Sequence, residues 1–446
     1  MSGGATAAGY PAEPPHGWAG QPGDAPPPRR SRSTIAAAIA AALVVLVGAV
    51  AIIRRADDGD GSGLAPNEAA PSVTATTEQI DPEADLPPAD PTLEAEVVEL
   101  EAFVSEARGL EFLADVPVRL AGDQEYGALV AQSFDIDPAQ VAATAAYYEA
   151  LGLIPEGTAE IYAAELLARV QSSLGFYDPA SGVLIVRGSE IDAGVRSVLV
   201  HELVHALDDQ WFELDRPQYD DDRTSEHVDS FPMVVEGNAE RIRLAWLDEQ
   251  SAADRAEAED VAGDPRDTTL AGNTDFVDFG LLAPYQAGTP FVTRIAESGG
   301  ERLVDAVIVD PPDTTEQVLD PEVFDRREGR LPVPPPPADG PVIEQGVVGA
   351  LFWLGLLSFA DSDVTSQAAE AAAQGWGGDW EVTYAAGGLT CTRSDVEGDT
   401  SADTVELLDA LTEYALSHPD VTVTEADGRA RMEVCYEVPI AGPDAR

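Results

Sequence analysis

The stretch that decides the fold is Val198–Leu207, VLVHELVHAL, which contains the pattern His-Glu-x-x-His at His201, Glu202 and His205. On an α-helix, residues four apart lie about one turn from each other on the same face, so His201 and His205 can present two imidazoles to one tetrahedral zinc ion. Glu202 lies beside the first of these ligands, where it can take a proton from a zinc-polarised water. The pattern therefore predicts a zinc site with Glu202 as the general base.

The residues around the two histidines predict a buried helix. Apolar side chains occupy two neighbouring stripes along it, namely Leu199, Leu203 and Ala206, and Val200, Val204 and Leu207. The chain has five histidines, and two of them fall inside this one ligand pattern. The alternative, two core or surface histidines without a metal, stays open because the pattern also occurs by chance.

The composition bounds the class of protein and its partners. A length of 446 residues fits two or three domains, or one large enzyme domain with additions. The chain has 25 Lys and Arg residues, all of them arginines, against 81 Asp and Glu, and its formal charge is −56. Such a surface repels nucleic acid, so we expect no nucleic-acid partner. It suits solubility in high salt or, alternatively, the binding of cationic ligands.

The N-terminal part predicts a membrane anchor. Residues 1–33 are rich in Pro, Gly and Ala and predict a disordered cytoplasmic tail. Residues 34–53 (TIAAAIAAALVVLVGAVAII) form an apolar run of about the 20 residues that a transmembrane helix needs, although a cleaved secretory signal is the alternative. Residues 54–91 predict an acidic linker. We expect a single-pass protein of the cell membrane, with its N-terminus cytoplasmic and its catalytic domain extracytoplasmic.

Helices and one hairpin are predicted between the end of this linker and the histidine pattern. Apolar residues at helical spacing predict helices over 92–107, about 138–151 and 158–171. A turn between two extended pieces, 174–177 and 183–187, predicts a hairpin directly before the His201 helix. Its strand can form one wall of a cleft and pair with an extended peptide, or be a plain structural element.

A catalytic zinc ion takes three protein ligands and leaves one position for water, so a third ligand is required. Residues 230–240 predict a helix that starts at Ser230, has Pro232 in its first turn and carries Glu236. Small residues after Glu236 would let this helix pack close to the His201 helix. Glu236 is therefore the leading candidate for the third ligand.

Other carboxylates compete for this role. Asp208, Asp209 and Glu213 continue the His201 helix, but ligands on one straight helix lie along a line and do not easily complete a tetrahedron. Asp209 is instead a candidate for a supporting role. Glu240, one turn after Glu236, could accept the free N–H of a ligand histidine, or it could lie on a solvated helix face.

HELVHALDDQWFEL (201–214) followed by VVEGNAE (234–240) resembles the gluzincins, zinc peptidases whose third ligand is a glutamate. With GFYDPASGVLIV (175–186), PYQAGTPFV (284–292) and PPDTTEQVLDPEVF (311–324), the chain resembles more closely a family of bacterial and archaeal membrane-anchored metallopeptidases, over about residues 139–324. The resemblance implies His201, His205 and Glu236 as zinc ligands and Glu202 as the base. Asp320 departs from it, because the family more often has histidine there.

The tetrahedral oxyanion formed during peptide hydrolysis needs a hydrogen-bond donor besides zinc. Candidates are Tyr285, His227 and Tyr219, and we predict Tyr285, which follows an apolar segment. The alternative is that the Tyr285 ring belongs to the core. His227 lies in a polar run and is expected on a surface loop.

The C-terminal part predicts a separate small unit. Residues 331–341 contain Pro-Val-Pro-Pro-Pro-Pro, a stiff polyproline connector, and residues 346–360 are apolar all round and predict a buried helix too short for a membrane span. Cys391 and Cys435 predict a disulfide, with two separate buried thiols as the alternative. The predicted strands and helix of this unit lie at 380–384, 389–393, 403–416, 421–424 and 431–438.

We therefore predict an α+β fold, with a mainly helical zincin-like catalytic domain and small sheets over 92–360, a C-terminal α+β unit over 361–446, and one N-terminal transmembrane helix. The expected function is zinc-dependent hydrolysis of a peptide or protein substrate outside the cytoplasm, in which zinc-bound water attacks the carbonyl. The alternatives are a zincin-like scaffold that binds cell-envelope or secreted partners without hydrolysis, and hydrolysis of a non-peptide amide.

Overall fold

The computed structural model describes residues 91–134, 138–163, 174–179, 181–188, 191–216, 219, 226–261 and 275–438. The helices with defined bounds are α1 Pro91–Arg108, α2 Asp123–Phe134, α3 Pro138–Ala150, α4 Ala193–Phe212, α5 His227–Glu249, α6 Ala252–Val261, α7 Asp275–Gly299, α8 Glu301–Val309, α9 Thr315–Leu319, α10 Pro321–Arg326, α11 Gly349–Phe359, α12 Ser366–Gln374 and α13 Ser401–Ser417. The strands are β1 Val118–Ala121, β2 Gly175–Asp178, β3 Val183–Arg187, β4 Val342–Gly346, β5 Trp376–Ala386, β6 Leu389–Gly398, β7 Val421–Ala426 and β8 Arg429–Tyr436.

Helix α4, which carries both histidines, is the centre of the first half of the structure. It begins at a cap in which the Asp192 side chain accepts a hydrogen bond from the Val195 N–H, and it ends where Glu213 adopts a left-handed conformation. Its residues are buried on nearly every side, as its apolar sequence predicts. Helices α1, α5 and α6 and strands β2 and β3 all pack against it.

The three-stranded sheet has the order β1-β3-β2. Strand β1 is parallel to β3, whereas β2 and β3 form the antiparallel hairpin that the sequence predicted. Strand β3 is central and its first four residues are buried, which fits their continuous apolar sequence. Among the strands that the structure describes, β2 is therefore at an edge of this sheet, and it lies against α4.

Helices α5 and α7 make a close backbone crossing at two glycines. A Cβ atom on Gly237 would overlap the backbone of Gly288, and a Cβ atom on Gly288 would overlap the carbonyl of Met233. No other residue fits at either position without displacing a helix. The crossing fixes the position of Tyr285, one turn before Gly288, relative to α5.

The second sheet is antiparallel, with the order β4-β5-β6-β8-β7, and helix α13 packs on it. Cys391 and Cys435 are directly opposed in the register of β6 and β8 and form a disulfide, which confirms the predicted pairing. The predicted buried helix is confirmed as α11, where Trp353 is fully buried. Strands β5 and β6 are longer than predicted.

The predicted membrane-spanning helix requires a correction, and with it the predicted fold class and single-pass location. Within the described residues, no helix is both long enough and apolar enough to cross a membrane. Helix α11 is apolar but has only 11 residues, about half of the 20 or so that a span needs, and the longer helix α5 carries Glu236, Glu240 and Arg241. The described fold is a mixture of helices and two sheets.

Several predictions fall outside the described residues, namely the tail at 1–33, the anchor at 34–53, nearly all of the linker at 54–91, and most of the helix at 158–171. The predicted helices at 92–107 and 138–151 are confirmed as α1 and α3. The predicted start of α5 at Ser230 is wrong, because the helix begins at His227 and includes Pro232 in its interior. The Ser230 hydroxyl instead donates to the Pro312 carbonyl.

Candidate metal centre

His201, His205 and Glu236 come together in the interior. The Nε2 atom of His201 lies 3.0 Å from Glu236 Oε2 and 3.1 Å from His205 Nε2, and His205 Nε2 lies 3.5 Å from Glu236 Oε2. All three residues are buried, with exposed fractions of 8%, 3% and 1%. Among the described residues, this group is the one whose ligand atoms could hold a metal ion.

The local sequence explains how the three side chains meet. The spacing of four residues puts both imidazoles on one face of α4. Helix α5 packs against α4 and presents Glu236 to that face, at the level where Gly237 allows α7 to approach from the other side. The three residues predicted from the sequence as ligands are thus the three that the structure brings together.

The charges of the group are strongly coupled. Burial alone would lower the pKa of His201, but the carboxylates of Glu236 and Glu240 outweigh burial and raise this pKa to about 10. Burial alone would raise the pKa of Glu236, but the two imidazoles hold it well below its ordinary value. At neutral pH Glu236 is therefore ionised and His201 is protonated, so binding of a metal ion would have to displace the His201 proton.

Glu240 lies behind His201. Its Oε2 atom is 3.8 Å from His201 Nδ1, which is too long for a hydrogen bond but within ion-pair range. Arg243 holds the Glu240 carboxylate through two hydrogen bonds of 2.6 and 2.7 Å. Burial would raise the pKa of Glu240, but Arg243 and His201 lower it to about 2. An ionised carboxylate therefore faces the ring nitrogen that points away from the ligand cluster, but at this distance the hydrogen bond considered in the sequence analysis is not formed.

Glu202 is buried next to the ligand group and is held by the edge strand. Its Oε2 atom accepts a hydrogen bond of 2.8 Å from the backbone N–H of Tyr177, in β2. Burial raises the pKa of Glu202, against the lowering effect of His205 and His201. The sequence did not predict this contact, because a backbone N–H donor does not depend on the residue type. The one related sequence feature is the hairpin that directly precedes the helix.

Tyr285 is the one oxyanion candidate that lies at the centre. Its ring is 5.9 Å from the ring of His201, measured between centroids. Burial and the neighbouring carboxylates of Glu236 and Glu202 raise the pKa of Tyr285 well above its ordinary value. The other two candidates lie elsewhere, because His227 starts α5, stacks on Tyr219 at 4.6 Å and faces Asp313 at 3.3 Å.

The competing carboxylates have other partners. Asp208 accepts hydrogen bonds from Arg108 and, at 2.7 Å, from the Asn238 amide. Asp209 accepts one from the Tyr177 hydroxyl at 3.0 Å and one from the Leu214 N–H at 2.9 Å. Neither belongs to the ligand group. Asp209 instead supports the residue whose backbone holds Glu202.

Asp320 and the partners of Asp208 have structural roles. Asp320, where the resembling family more often has histidine, ends α9 and caps α10 by accepting from the Glu322 N–H at 2.8 Å. Arg108 and Asn238, which hold Asp208, were missed. No spacing rule connects Arg108 with Asp208, since they are 100 residues apart.

Comparison of the chain with protein-family models, with curated proteins and with solved structures finds no match. The functional argument therefore depends on the residues of the centre itself.

Proposed function

We propose that the chain is a zinc metallopeptidase of the gluzincin type, in which His201, His205 and Glu236 hold the metal. One observation carries the proposal: the three ligand atoms are separated by 3.0, 3.1 and 3.5 Å. Bonds of about 2.0–2.1 Å to a tetrahedral zinc ion put neighbouring ligand atoms about 3.3 Å apart. The cluster thus already has the size of a zinc site, and three ligands leave the fourth position open for catalysis.

In the proposed reaction, Glu202 moves the protons. When bound, zinc would polarise a water molecule and the carbonyl of the scissile bond. Glu202 takes a proton from the attacking water and later delivers it to the leaving amine. Burial raises the pKa of Glu202, which makes its carboxylate a stronger base than an exposed glutamate. The Tyr177 N–H orients one carboxylate oxygen and leaves the other for the water.

Tyr285 is the proposed partner of the oxyanion. Because its pKa is well above the ordinary value, its hydroxyl stays protonated at neutral pH and can donate a hydrogen bond. Its position beside His201 is set by the crossing of α5 and α7. Loss of one such donor typically lowers kcat by about 100-fold to 1000-fold.

A peptide is the proposed substrate because β2 is an edge strand next to Glu202. An exposed strand edge can bind an extended peptide through main-chain hydrogen bonds. The edge also carries Tyr177, whose backbone already contacts the proposed base, so a peptide bound along β2 would lie beside the catalytic group. A zincin-like scaffold that binds peptides without hydrolysis is the second candidate.

The test compares the wild type with Glu202→Gln and with Glu249→Gln, which changes an exposed acid at the end of α5. Zinc content and cleavage of a quenched-peptide library are measured for each. The amide oxygen of glutamine can still accept from the Tyr177 N–H, so the variant should fold and hold zinc. We expect full zinc content and a loss of cleavage of about 100-fold or more in Glu202→Gln, and wild-type cleavage in Glu249→Gln.

The outcomes separate the candidates. If the zinc-loaded wild type cleaves no peptide, the peptidase proposal is wrong, and binding of the same peptides without turnover would favour the scaffold. Cleavage of non-peptide amides alone would show the same chemistry on another substrate. Equal cleavage by the wild type and Glu202→Gln would exclude Glu202 as the base.

A further inference from the structure

Arg243 and Glu240 form a clamp beside the metal-ligand group. They lie about one turn apart on α5, and the guanidinium donates from Nε to Glu240 Oε2 at 2.6 Å and from Nη2 to Glu240 Oε1 at 2.7 Å. Each carboxylate oxygen therefore has its own N–H donor, in the two-pronged geometry that fixes both the distance and the orientation of a carboxylate. The side chains of Arg243 and Glu240 are only 19% and 17% exposed, so water and salt screen this pair less than a surface ion pair.

The third side of the Arg243 guanidinium is anchored to the helix of the histidines. Its Nη1 atom donates to the Ser197 hydroxyl at 2.9 Å, and Ser197 is buried. Ser197 precedes His201 by four residues, so it lies one turn before His201 on the same face of α4. The clamp therefore joins α5 to α4, and both helices fix its position relative to His201.

The clamp keeps Glu240 from forming a hydrogen bond with His201. Glu240 Oε2 lies 3.8 Å from His201 Nδ1, which is beyond the upper limit of about 3.2 Å for an N–H···O hydrogen bond. The same oxygen is 2.6 Å from Arg243 Nε. A shift of about 1 Å toward the imidazole would form the missing bond, and the two bonds to Arg243 oppose that shift because they fix the carboxylate.

The missing hydrogen bond bears on metal affinity. A histidine that binds a metal through one ring nitrogen is a better ligand when its other ring N–H donates to a carboxylate, and such partners typically contribute about 10-fold to 100-fold in affinity. Nε2 of His201 faces the ligand group, which leaves Nδ1 for the partner. Because Glu240 lies on that side but is held out of reach, part of its contribution is lost. The positive charge of Arg243 acts in the same direction, since it opposes a bound cation.

We propose that Arg243 is a positioning residue that lowers the metal affinity of the centre by holding Glu240 away from His201. The inference rests on the metal ligands of the proposed function, which are His201, His205 and Glu236, but it does not depend on peptide hydrolysis. It predicts a gain of metal affinity on removal of a partly buried side chain. General damage to the fold would not produce such a gain.

The experiment measures the zinc affinity of the full chain by titration against a competing chelator. Arg243→Met removes the clamp, whereas Ser197→Ala removes only its anchor on α4. The control is Arg431→Met, because Arg431 binds Asp395 in the same two-pronged geometry, at 2.6 and 2.8 Å and with a side chain that is 20% exposed, in the second sheet. Circular dichroism establishes that each variant is folded. If Arg243→Met does not fold, the sign of the change in Ser197→Ala decides.

A double variant separates the position of Glu240 from the charge of Arg243. Arg243→Met is introduced into the wild type and into Glu240→Gln, and the two changes in zinc affinity are compared as a double-mutant cycle. If Arg243 acts through the Glu240 carboxylate, its removal should raise zinc affinity about tenfold in the wild type and by less than about twofold in the Glu240→Gln background.

We also expect a smaller gain in Ser197→Ala and an unchanged affinity in Arg431→Met. In zinc-loaded protein labelled with 15N-histidine, the His201 Nδ1–H proton should move downfield in Arg243→Met, because it then donates to Glu240. Weaker or unchanged zinc binding by Arg243→Met would overturn the proposal, and so would an equal gain in Arg431→Met or in the Glu240→Gln background. Absence of zinc binding by the wild type would refute both this inference and the proposed function, whereas zinc binding without peptide cleavage would refute the proposed reaction alone.

Discussion

The backbone N–H of Tyr177 donates a hydrogen bond to Glu202 Oε2 across 2.8 Å. The edge of the three-stranded sheet is thereby tied to the helix that carries both histidines. The Tyr177 hydroxyl makes a second tie, to Asp209 at 3.0 Å, seven residues further along α4. The orientation of Glu202 therefore depends on the strand as well as on its own helix, and a peptide bound to that strand would meet a carboxylate already in place.

The first prediction concerns Glu240, the carboxylate behind His201. Glu240→Gln keeps the shape of the side chain but removes the charge that faces His201 Nδ1 and pairs with Arg243. Partners that orient a ligand histidine typically contribute about 10-fold to 100-fold in metal affinity. We expect a loss of zinc affinity in this range, measured by titration against a competing chelator. Glu249→Gln is the control, and an unchanged affinity in Glu240→Gln would show that Glu240 does not support the ligand.

The second prediction concerns the crossing of α5 and α7. In Gly237→Ala, the new methyl group would overlap the Gly288 backbone, so the helices must separate. Overpacking of this kind costs about 1–3 kcal/mol of the free energy of unfolding. Because separation also moves Tyr285 away from the metal group, we expect cleavage to fall further than metal content does. Stability is measured by urea unfolding.

The control for this substitution is Gly127→Ala, in the middle of α2. No atom lies within 4 Å of the position that a Cβ would take there. Alanine is favoured over glycine in a helix by about 0.5–1 kcal/mol, so Gly127→Ala should stabilise the protein slightly. If Gly237→Ala behaved in the same way, the crossing would be looser than the structure indicates.

The third prediction concerns the pH dependence of stability, through Glu226 at the start of α5. Glu226 is 1% exposed and, within the described residues, its Oε2 atom has no hydrogen-bond partner. Burial, with Asp379 and Asp229 nearby, raises its pKa to about 8, against hydrogen bonds from Thr315. The folded state therefore keeps a proton that the unfolded chain releases near its ordinary pKa of 4.5.

The sign of the effect follows from this difference. The stability that Glu226 contributes is complete below about pH 4.5, and it is lost as the pH rises through about 8. One proton corresponds to at most about 1.4 kcal/mol per pH unit. Glu226→Gln, which cannot ionise, should be increasingly more stable than the wild type between these values in urea titrations at several pH values. Glu249→Gln should show no such trend; a parallel pH dependence of the wild type and Glu226→Gln would contradict the assignment.

The local features of the sequence predicted most of the centre. Because His201 and His205 are four residues apart, helix periodicity predicts that their imidazoles lie on one face. Glu236 was predicted as the third ligand because it lies on a helix whose small residues allow close packing. The length of β5 was underestimated, because Gly377 and Gly378 normally mark the end of a strand. In the structure they stay in the strand, since Leu331 approaches the backbone of Gly378 so closely that a side chain would not fit. That approach comes from a segment distant in sequence, which no local pattern reports.

Charge contacts between distant segments were equally hidden. Arg108, at the end of α1, reaches Asp208 at 2.7 Å in α4, and it also pairs with Glu301 and Asp305 of α8 at 2.8 and 2.9 Å. Asp208 in turn binds Asn238 of α5. This cluster joins the helix of the histidines to the helix of Glu236. Charged residues that meet from distant segments do not recur at a fixed spacing. The sequence therefore identifies them as polar but does not predict which of them pair.

The fourth prediction concerns this cluster. Arg108→Met removes a fully buried guanidinium and leaves the Asp208 carboxylate, 1% exposed, with Asn238 as its remaining side-chain partner among the described residues. Removal of one partner of a buried ion pair typically costs about 3–5 kcal/mol, whereas replacement of both can be nearly neutral. We expect a loss in this range in urea unfolding, and a smaller loss when Asp208→Asn is added.

The exposed pair Arg187–Asp123, whose side chains are 31% and 82% exposed, provides the matched control. Arg187→Met should cost at most about 1 kcal/mol, because water already screens that pair. The position of Asp208, three residues after His205, adds a second expectation: zinc affinity should fall in Arg108→Met and not in Arg187→Met, since the unpaired carboxylate disturbs the junction of α4 and α5. Equal losses of stability in the two variants would mean that the buried cluster contributes no more to stability than a surface ion pair.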